Sequence, residues 1–240
     1  MGSQDVGFLY GYGVFETIRI AHAAPIFLTE HLHRLTQAAD FCRIFCPPFE
    51  SLSKDVMRAI EQKNIQNGVL NLILTAGDRS AFLDNPDSHR VVIQVRPLER
   101  PIQPVSLSFI PDPFPRSPLD QFKTLTYFRY AYIRRQLKQG QDGVFFNAHQ
   151  EVLEATSSNV FFVKNGQILT PPLGFILPGI VRQFVMNRFD VREQRILLHQ
   201  AEAADEVFLT NSVAGILPCQ YSGPVTQQVA KAYQDEILAV

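Results

Sequence analysis

Apolar and polar residues alternate over 14–20, Val-Phe-Glu-Thr-Ile-Arg-Ile, and the β-branched content predicts a strand there. A second short strand is predicted at 25–28. Thr29 is placed as the cap of a helix over 30–45, with Leu32, Leu35, Ala39 and Cys42 roughly on one face. Pro47-Pro48 stops that helix, and another runs from Ser51 or Ser53 through Val56 and Ile60 to Lys63. Asn67-Gly68 reads as a turn, and 69–75 and 91–95 as paired strands around an irregular loop, 76–89.

The pattern then breaks. Pro97, Pro101, Pro104, Pro111, Pro113, Pro115 and Pro118 crowd one stretch, which excludes a helix and restricts any strand to an edge or an interrupted one. A strand at 105–110 is the one candidate inside it. We place the inter-domain segment here, at 98–118, between a smaller α+β domain over 1–97 and a larger α/β domain over 119–240. In that second half the pattern predicts a helix at 127–139 closed by Gly140, and strands at 144–147, 159–163 and 167–170, the last two joined by an Asn165-Gly166 turn. Beyond them lie a helix opened by Pro178-Gly179 and running through 181–189, a strand at 191–196, and a short helix from His199 or Gln200 to Ala204. A strand at 206–210 and an amphipathic closing helix at 225–238 complete the reading. No internal repeat is present. The fold class is α+β in two domains.

With 240 residues, 46% of them hydrophobic, the chain can bury one large or two small cores. A net charge of -1 gives no basic field for nucleic acid or an anionic membrane. The three cysteines, Cys42, Cys46 and Cys219, lack partners at zinc spacing and read as buried free thiols, so no metal is expected. The first residues lack the basic and apolar regions of a signal peptide and fail the myristoylation pattern at Val6. No apolar run approaches transmembrane length, so the expected location is the cytoplasm.

Two runs carry candidate chemistry. Phe122-Lys123-Thr124-Leu125-Thr126-Tyr127 holds a lysine in otherwise apolar or neutral surroundings, a candidate Schiff-base amine. Leu153-Glu154-Ala155-Thr156-Ser157-Ser158-Asn159 holds a carboxylate in similar surroundings, a candidate partner for a protonated ring nitrogen. Together they suggest pyridoxal phosphate (PLP) chemistry if a phosphate site exists. Three places qualify: the glycine turn of Leu177-Pro178-Gly179-Ile180-Val181-Arg182, whose amides at Ile180 and Val181 would open a helix; the polar Thr210-Asn211-Ser212; and Arg34.

These residues, with Gly11-Tyr12-Gly13-Val14-Phe15-Glu16-Thr17-Ile18-Arg19 and His31-Leu32-His33-Arg34-Leu35, resemble the class IV aminotransferase family of PLP enzymes nearly end to end. That family includes branched-chain and D-amino-acid aminotransferases and 4-amino-4-deoxychorismate lyases. The resemblance implies that Lys123 takes the cofactor covalently and shuttles protons, and that Glu154 bonds the pyridine nitrogen. It implies further that Arg34, Ile180, Val181, Ser212 and their neighbours Gly179 and Asn211 hold the phosphate, and that Tyr127 lies near the phenolic oxygen. Two departures stand out: the chain starts almost at the Gly-x-Gly-Val-Phe-Glu segment, where the family usually has a preceding strand, and Tyr12 stands where Asp is frequent. The run from Thr210 to Pro218 looks like the lyase version of its loop, because Gly215 stands where transaminases more often have Glu. Leu74-Thr75-Ala76-Gly77 also resembles a lyase loop, with Arg79 beyond it as candidate for a substrate carboxylate. The expected activity is release of pyruvate and p-aminobenzoate by a homodimer, with branched-chain or D-amino-acid transamination as the alternative. From another class, a cofactor-free binding protein on this scaffold is disfavoured by the intact Lys123, Glu154, Arg34 and Ser212.

Overall fold

The computed structural model describes residues 4–78, 89–98 and 103–239. The chain divides into two units, the first formed by Met1–Pro101 with Phe122–Tyr127 and the second by Ile102–Gln121 with Phe128–Val240.

The first unit begins with a one-turn helix, α1 (Val6–Tyr10), capped by Asp5, whose Oδ1 accepts the Gly7 amide at 2.8 Å. Then follow β1 (Gly13–Ala21), β2 (Ala24–Pro25), α2 (Leu28–Phe41), α3 (Phe49–Lys63), β3 (Gly68–Thr75) and β4 (Arg90–Pro97). The strands form one antiparallel sheet in the order β2-β1-β3-β4. The period-2 alternation of β1 turns Val14, Glu16, Ile18 and Ile20 inward. Val14, Ile18 and Ile20 share a core with Leu32 and Leu35 of α2 and Leu52, Val56 and Ile60 of α3. α2 opens at Leu28 behind Phe27, which has a left-handed backbone and offers no side-chain cap, so Thr29 lies inside the helix rather than capping it. The strand predicted at 25–28 shrinks to β2 for the same reason: the helix claims Leu28.

The segment Phe122–Tyr127 groups with this first unit, not with the 119–240 stretch read from the sequence. Backbone bonds hold it there: the Phe15 amide donates to the Lys123 carbonyl, and the Leu125 amide to the Gly13 carbonyl, each at 2.9 Å.

The second unit contains β5 (Ser106–Pro111), a 3-10 turn (Pro118–Gln121), α4 (Phe128–Arg134), β6 (Gln141–Phe146), β7 (Val152–Ala155), β8 (Asn159–Lys164) and β9 (Gln167–Thr170). It continues with α5 (Ile180–Arg188), β10 (Val191–Glu193), α6 (Leu198–Glu202), β11 (Glu206–Asn211), β12 (Gly215–Pro218) and α7 (Pro224–Tyr233), which runs into one π turn, Gln234–Leu238. One sheet has the order β10-β9-β8-β11-β12 and the other β5-β6-β7, so the proline-rich stretch does supply an edge strand. The predicted helix at 127–139 is confined to α4, and the strand at 191–196 to β10. Asn165 and Gly166 both take positive φ in the β8–β9 hairpin, as a two-residue turn of this type requires. Glu206 anchors the start of α7 by accepting the amides of Gly223, Val225 and Thr226 at 3.0, 3.1 and 2.7 Å.

Candidate active site

In the first unit the inward position of Glu16 puts a carboxylate among apolar side chains, and α2 answers it. Arg34 donates from Nε to Oε1 at 2.8 Å and from Nη2 to Oε2 at 2.7 Å, while His31 Nδ1 lies 2.7 Å from Oε2. His31 and Arg34 sit three residues apart, so one helix face presents both. Glu16 and His31 are each 1% exposed and Arg34 8%. Burial pushes the Glu16 carboxyl up, but Arg34 and His31 overcome it and hold the group at about 2. Burial also pushes the His31 imidazole down, against the pull of Glu16, which favours the neutral ring.

The lysine run of the same unit lies along β1. Lys123 is half-buried, and its Nζ stands 4.2 Å from the centre of the Phe15 ring and 5.4 Å from that of Tyr127. Phe15 and Tyr127 meet edge to face at 5.5 Å. Two aromatic faces thus confine the amine on a short, hydrogen-bonded segment.

The second unit gathers four of the remaining segments around Glu154, on β7. Its Oε2 accepts the Leu177 amide at 3.0 Å, and its Oε1 accepts Arg116 Nη1 at 2.8 Å and the Tyr130 hydroxyl at 2.9 Å. Asn159 Nδ2 donates to the Leu177 carbonyl at 2.8 Å, and Asn211 Nδ2 to Ser158 Oγ at 2.9 Å. Hydrogen bonds therefore tie β7, the start of β8, the turn before α5 and the end of β11 to one another. α5 starts at Ile180 with Gly179 before it and no side chain capping it, and the first amides of a helix have no partner within it. Gly179 is required by close approach: a Cβ there would stand 2.0 Å from Asn159 Oδ1. Asn211 Oδ1 accepts the amides of Val213 and Ala214, at 3.0 and 2.7 Å, and so shapes the loop that carries Ser212. Burial pushes the Glu154 carboxyl up, against the pull of Arg116, the Leu177 amide and Tyr130.

Of the residues singled out from the sequence, Arg34, Lys123 and Tyr127 belong to the first unit, and Glu154, Gly179, Ile180, Val181, Asn211 and Ser212 to the second. Arg79 lies outside the described residues. The sequence reading gave no role to Glu16, His31, Arg116, Tyr130 or Asn159. A signal existed for Glu16, a charge in phase with the apolar positions of β1. For Arg116 the proline-dense surroundings read only as a connection.

The amino-transferase class IV family model matches residues 13–221. The chain belongs to the class IV aminotransferase family. Among curated relatives of this family member is a putative branched-chain-amino-acid aminotransferase of Methanocaldococcus jannaschii, 30% identical, with 96% of this chain and 89% of the relative covered. An aminodeoxychorismate lyase of Bacillus subtilis is 28% identical over 97% of this chain and 88% of its own. A solved structure of a putative 4-amino-4-deoxychorismate lyase from Legionella pneumophila superposes with a TM-score of 0.90 at 28% identity, covering 98% of this chain and 95% of that one. Class IV aminotransferases are PLP-dependent, and this chain is an enzyme of that family. Its residues fit the cofactor. Arg116 Nη2 and Thr210 Oγ1 are buried polar atoms without a hydrogen-bond partner among the described residues. Glu154 Oε2 accepts one hydrogen bond there, where a carboxylate oxygen has room for two. No helix among the described residues is long and apolar enough to cross a membrane.

Proposed function

We propose that this enzyme is a 4-amino-4-deoxychorismate lyase, releasing pyruvate and p-aminobenzoate for folate synthesis, and that it works as a cytoplasmic homodimer. The observation that carries the reading is Gly215. It has φ +69, and a Cβ built there would stand 2.3 Å from the Tyr233 ring. The turn has no room for the glutamate that branched-chain and D-amino-acid transaminases more often carry at this position. The aminodeoxychorismate lyase of Bacillus subtilis and the putative 4-amino-4-deoxychorismate lyase of Legionella pneumophila, each 28% identical, add support.

When bound, the cofactor's protonated ring withdraws electrons and makes the C–H of the amine-bearing carbon acidic. In this reading the Lys123 amine holds the cofactor and takes that proton, steadied between Phe15 and Tyr127. Glu154 keeps the ring nitrogen protonated. Arg34, oriented by Glu16, binds the phosphate together with the amides of Ile180 and Val181 and the Ser212 hydroxyl, on the loop shaped by Asn211. Gly179 lets Asn159 approach the helix start, Tyr127 attends the phenolic oxygen, and Arg79 meets a substrate carboxylate. Loss of pyruvate then creates an aromatic ring, which drives the lyase reaction forward.

The relative of Methanocaldococcus jannaschii, at 30% identity, favours the second reading, branched-chain transamination. Product analysis separates them. With enzymatically generated aminodeoxychorismate, p-aminobenzoate fluorescence without added 2-oxo acid is the result expected of the lyase. Amino exchange between amino acid and 2-oxo-acid pairs, with no p-aminobenzoate, would make the enzyme a transaminase. Light scattering at the mass of two chains is expected; a monomer at working concentration would refute the dimer.

A further inference from the structure

We propose that Arg116 is a positioning residue that holds Glu154 as an aimed carboxylate, so that the proton Glu154 shares with the cofactor stays on the ring nitrogen. The inference rests on the reading that Glu154 meets that nitrogen, and it holds for a lyase or a transaminase alike.

Arg116 lies just ahead of the 3-10 turn, in the proline-dense stretch, with its side chain 6% exposed. Its Nε reaches Asp112 Oδ2 at 2.5 Å, while Nη1 reaches Glu154 Oε1 at 2.8 Å and the Tyr130 hydroxyl at 3.1 Å. The guanidinium carbon lies 5.3 Å from the centre of the Phe145 ring and 5.7 Å from that of Tyr130. A planar group held at Nε and Nη1 and faced by two rings has little freedom to turn. It therefore fixes which way the Glu154 carboxylate points, while the Leu177 amide fixes the other oxygen.

Charge makes the second half of the argument. The buried cluster around Glu154 contains Asp112, Asp120 and Glu154 against Arg116 and Arg129, with side chains 3–13% exposed. Three carboxylates and two guanidinium groups leave one negative charge, which a protonated ring nitrogen would neutralise. Without Arg116, Asp112, Asp120 and Glu154 would face Arg129 alone. A buried carboxyl so placed takes up a proton to escape desolvation and repulsion. Arg116 touches Glu154 directly, so its loss raises the proton affinity of that carboxyl more than that of a nitrogen the carboxyl holds. The shared proton then moves from ring to Glu154. Burial already pushes Glu154 toward the neutral form even with Arg116 in place.

The test is the ring 15N chemical shift of labelled PLP bound to the whole chain at pH 7, in wild type, Arg116→Met, Arg116→Gln and Arg116→Lys. The wild-type nitrogen should appear protonated. In R116M the ratio of protonated to neutral ring should fall at least about tenfold, the equivalent of one pKa unit. R116Q keeps a donor for Glu154 and loses the charge, and carries the same expectation if R116M does not fold. R116K should restore most of the protonated signal. A ring that stays protonated in R116M or R116Q overturns the proposal, even if the cofactor binds more weakly, because Arg116 would then be merely structural. An unprotonated ring in the wild type would instead defeat the assignment of Glu154.

Discussion

Replacing Glu16 with glutamine removes the buried carboxylate that accepts hydrogen bonds from both Nε and Nη2 of Arg34. The carboxyl falls from an ordinary 4.5 to about 2 in the folded chain. At about 1.4 kcal/mol per pH unit, that difference is about 3 kcal/mol of stability. Breaking a buried ion pair by deleting one partner costs about 3–5 kcal/mol, so two routes agree. A folded pKa below the unfolded one contributes stability that is complete above 4.5 and lost as pH falls toward 2. His31 acts in the same direction: its folded value lies below its ordinary 6.5, so the unfolded chain binds protons first and stability declines below that pH. Urea unfolding followed by circular dichroism, run from pH 7 to pH 3, checks both. At pH 7 Glu16→Gln should lower the midpoint of the first unit by about 1.5 M, taking a slope of about 2 kcal/mol per molar. The gap from wild type should narrow between pH 4.5 and 3. A variant within about 0.5 kcal/mol of wild type at pH 7, or a gap independent of pH, would refute the claim that Glu16 is held ionised by Arg34.

Three other substitutions address separate links. Lys123→Ala should abolish turnover and the visible absorbance of lysine-bound PLP; surviving activity would remove Lys123 from the chemistry. Gly179→Ala should displace Asn159, at a cost of about 1–3 kcal/mol by thermal unfolding, and weaken PLP affinity measured by absorbance titration. Full affinity would mean that the close approach at Gly179 is irrelevant to the cofactor. Glu206→Ala should cost about 1–2 kcal/mol, because three amides at the start of α7 lose their acceptor, and should leave the absorbance of bound PLP unchanged.

Much of this architecture is legible in the sequence, and the misses have two causes. The strands β1, β3, β8 and β11 show either alternation or a β-branched and aromatic run, and the helices α2, α3, α5 and α7 show an apolar face. α1 has only five residues, too few for a period, and its evidence is the Asp5 cap. β7 is four residues, all buried, so nothing alternates. Local rules also failed where a distant partner decides. Thr29 is a good cap in isolation, yet Phe27 takes the position before the helix. The pairing of Glu16 with Arg34, and of Arg116 with Glu154, spans 18 and 38 residues. Composition shows such residues as charges, not as pairs. Lys123 and Glu154 stood out because their surroundings are locally neutral; Arg116 did not, because prolines rather than apolar residues flank it.

The assignment of Phe122–Tyr127 to the first unit bears on how the protein is made. The chain leaves that unit at Pro101 and returns to it only for these six residues. A nascent chain that has emerged as far as Pro101 still lacks the strand-like partner of Gly13 and Phe15, so the β1 backbone waits with unfilled hydrogen bonds. The first unit can be finished only after the first part of the second has been synthesised, and translation order is therefore not folding order. A stop codon after residue 101 would yield an unfinished sheet edge rather than a separable domain, and an open edge invites association with other chains.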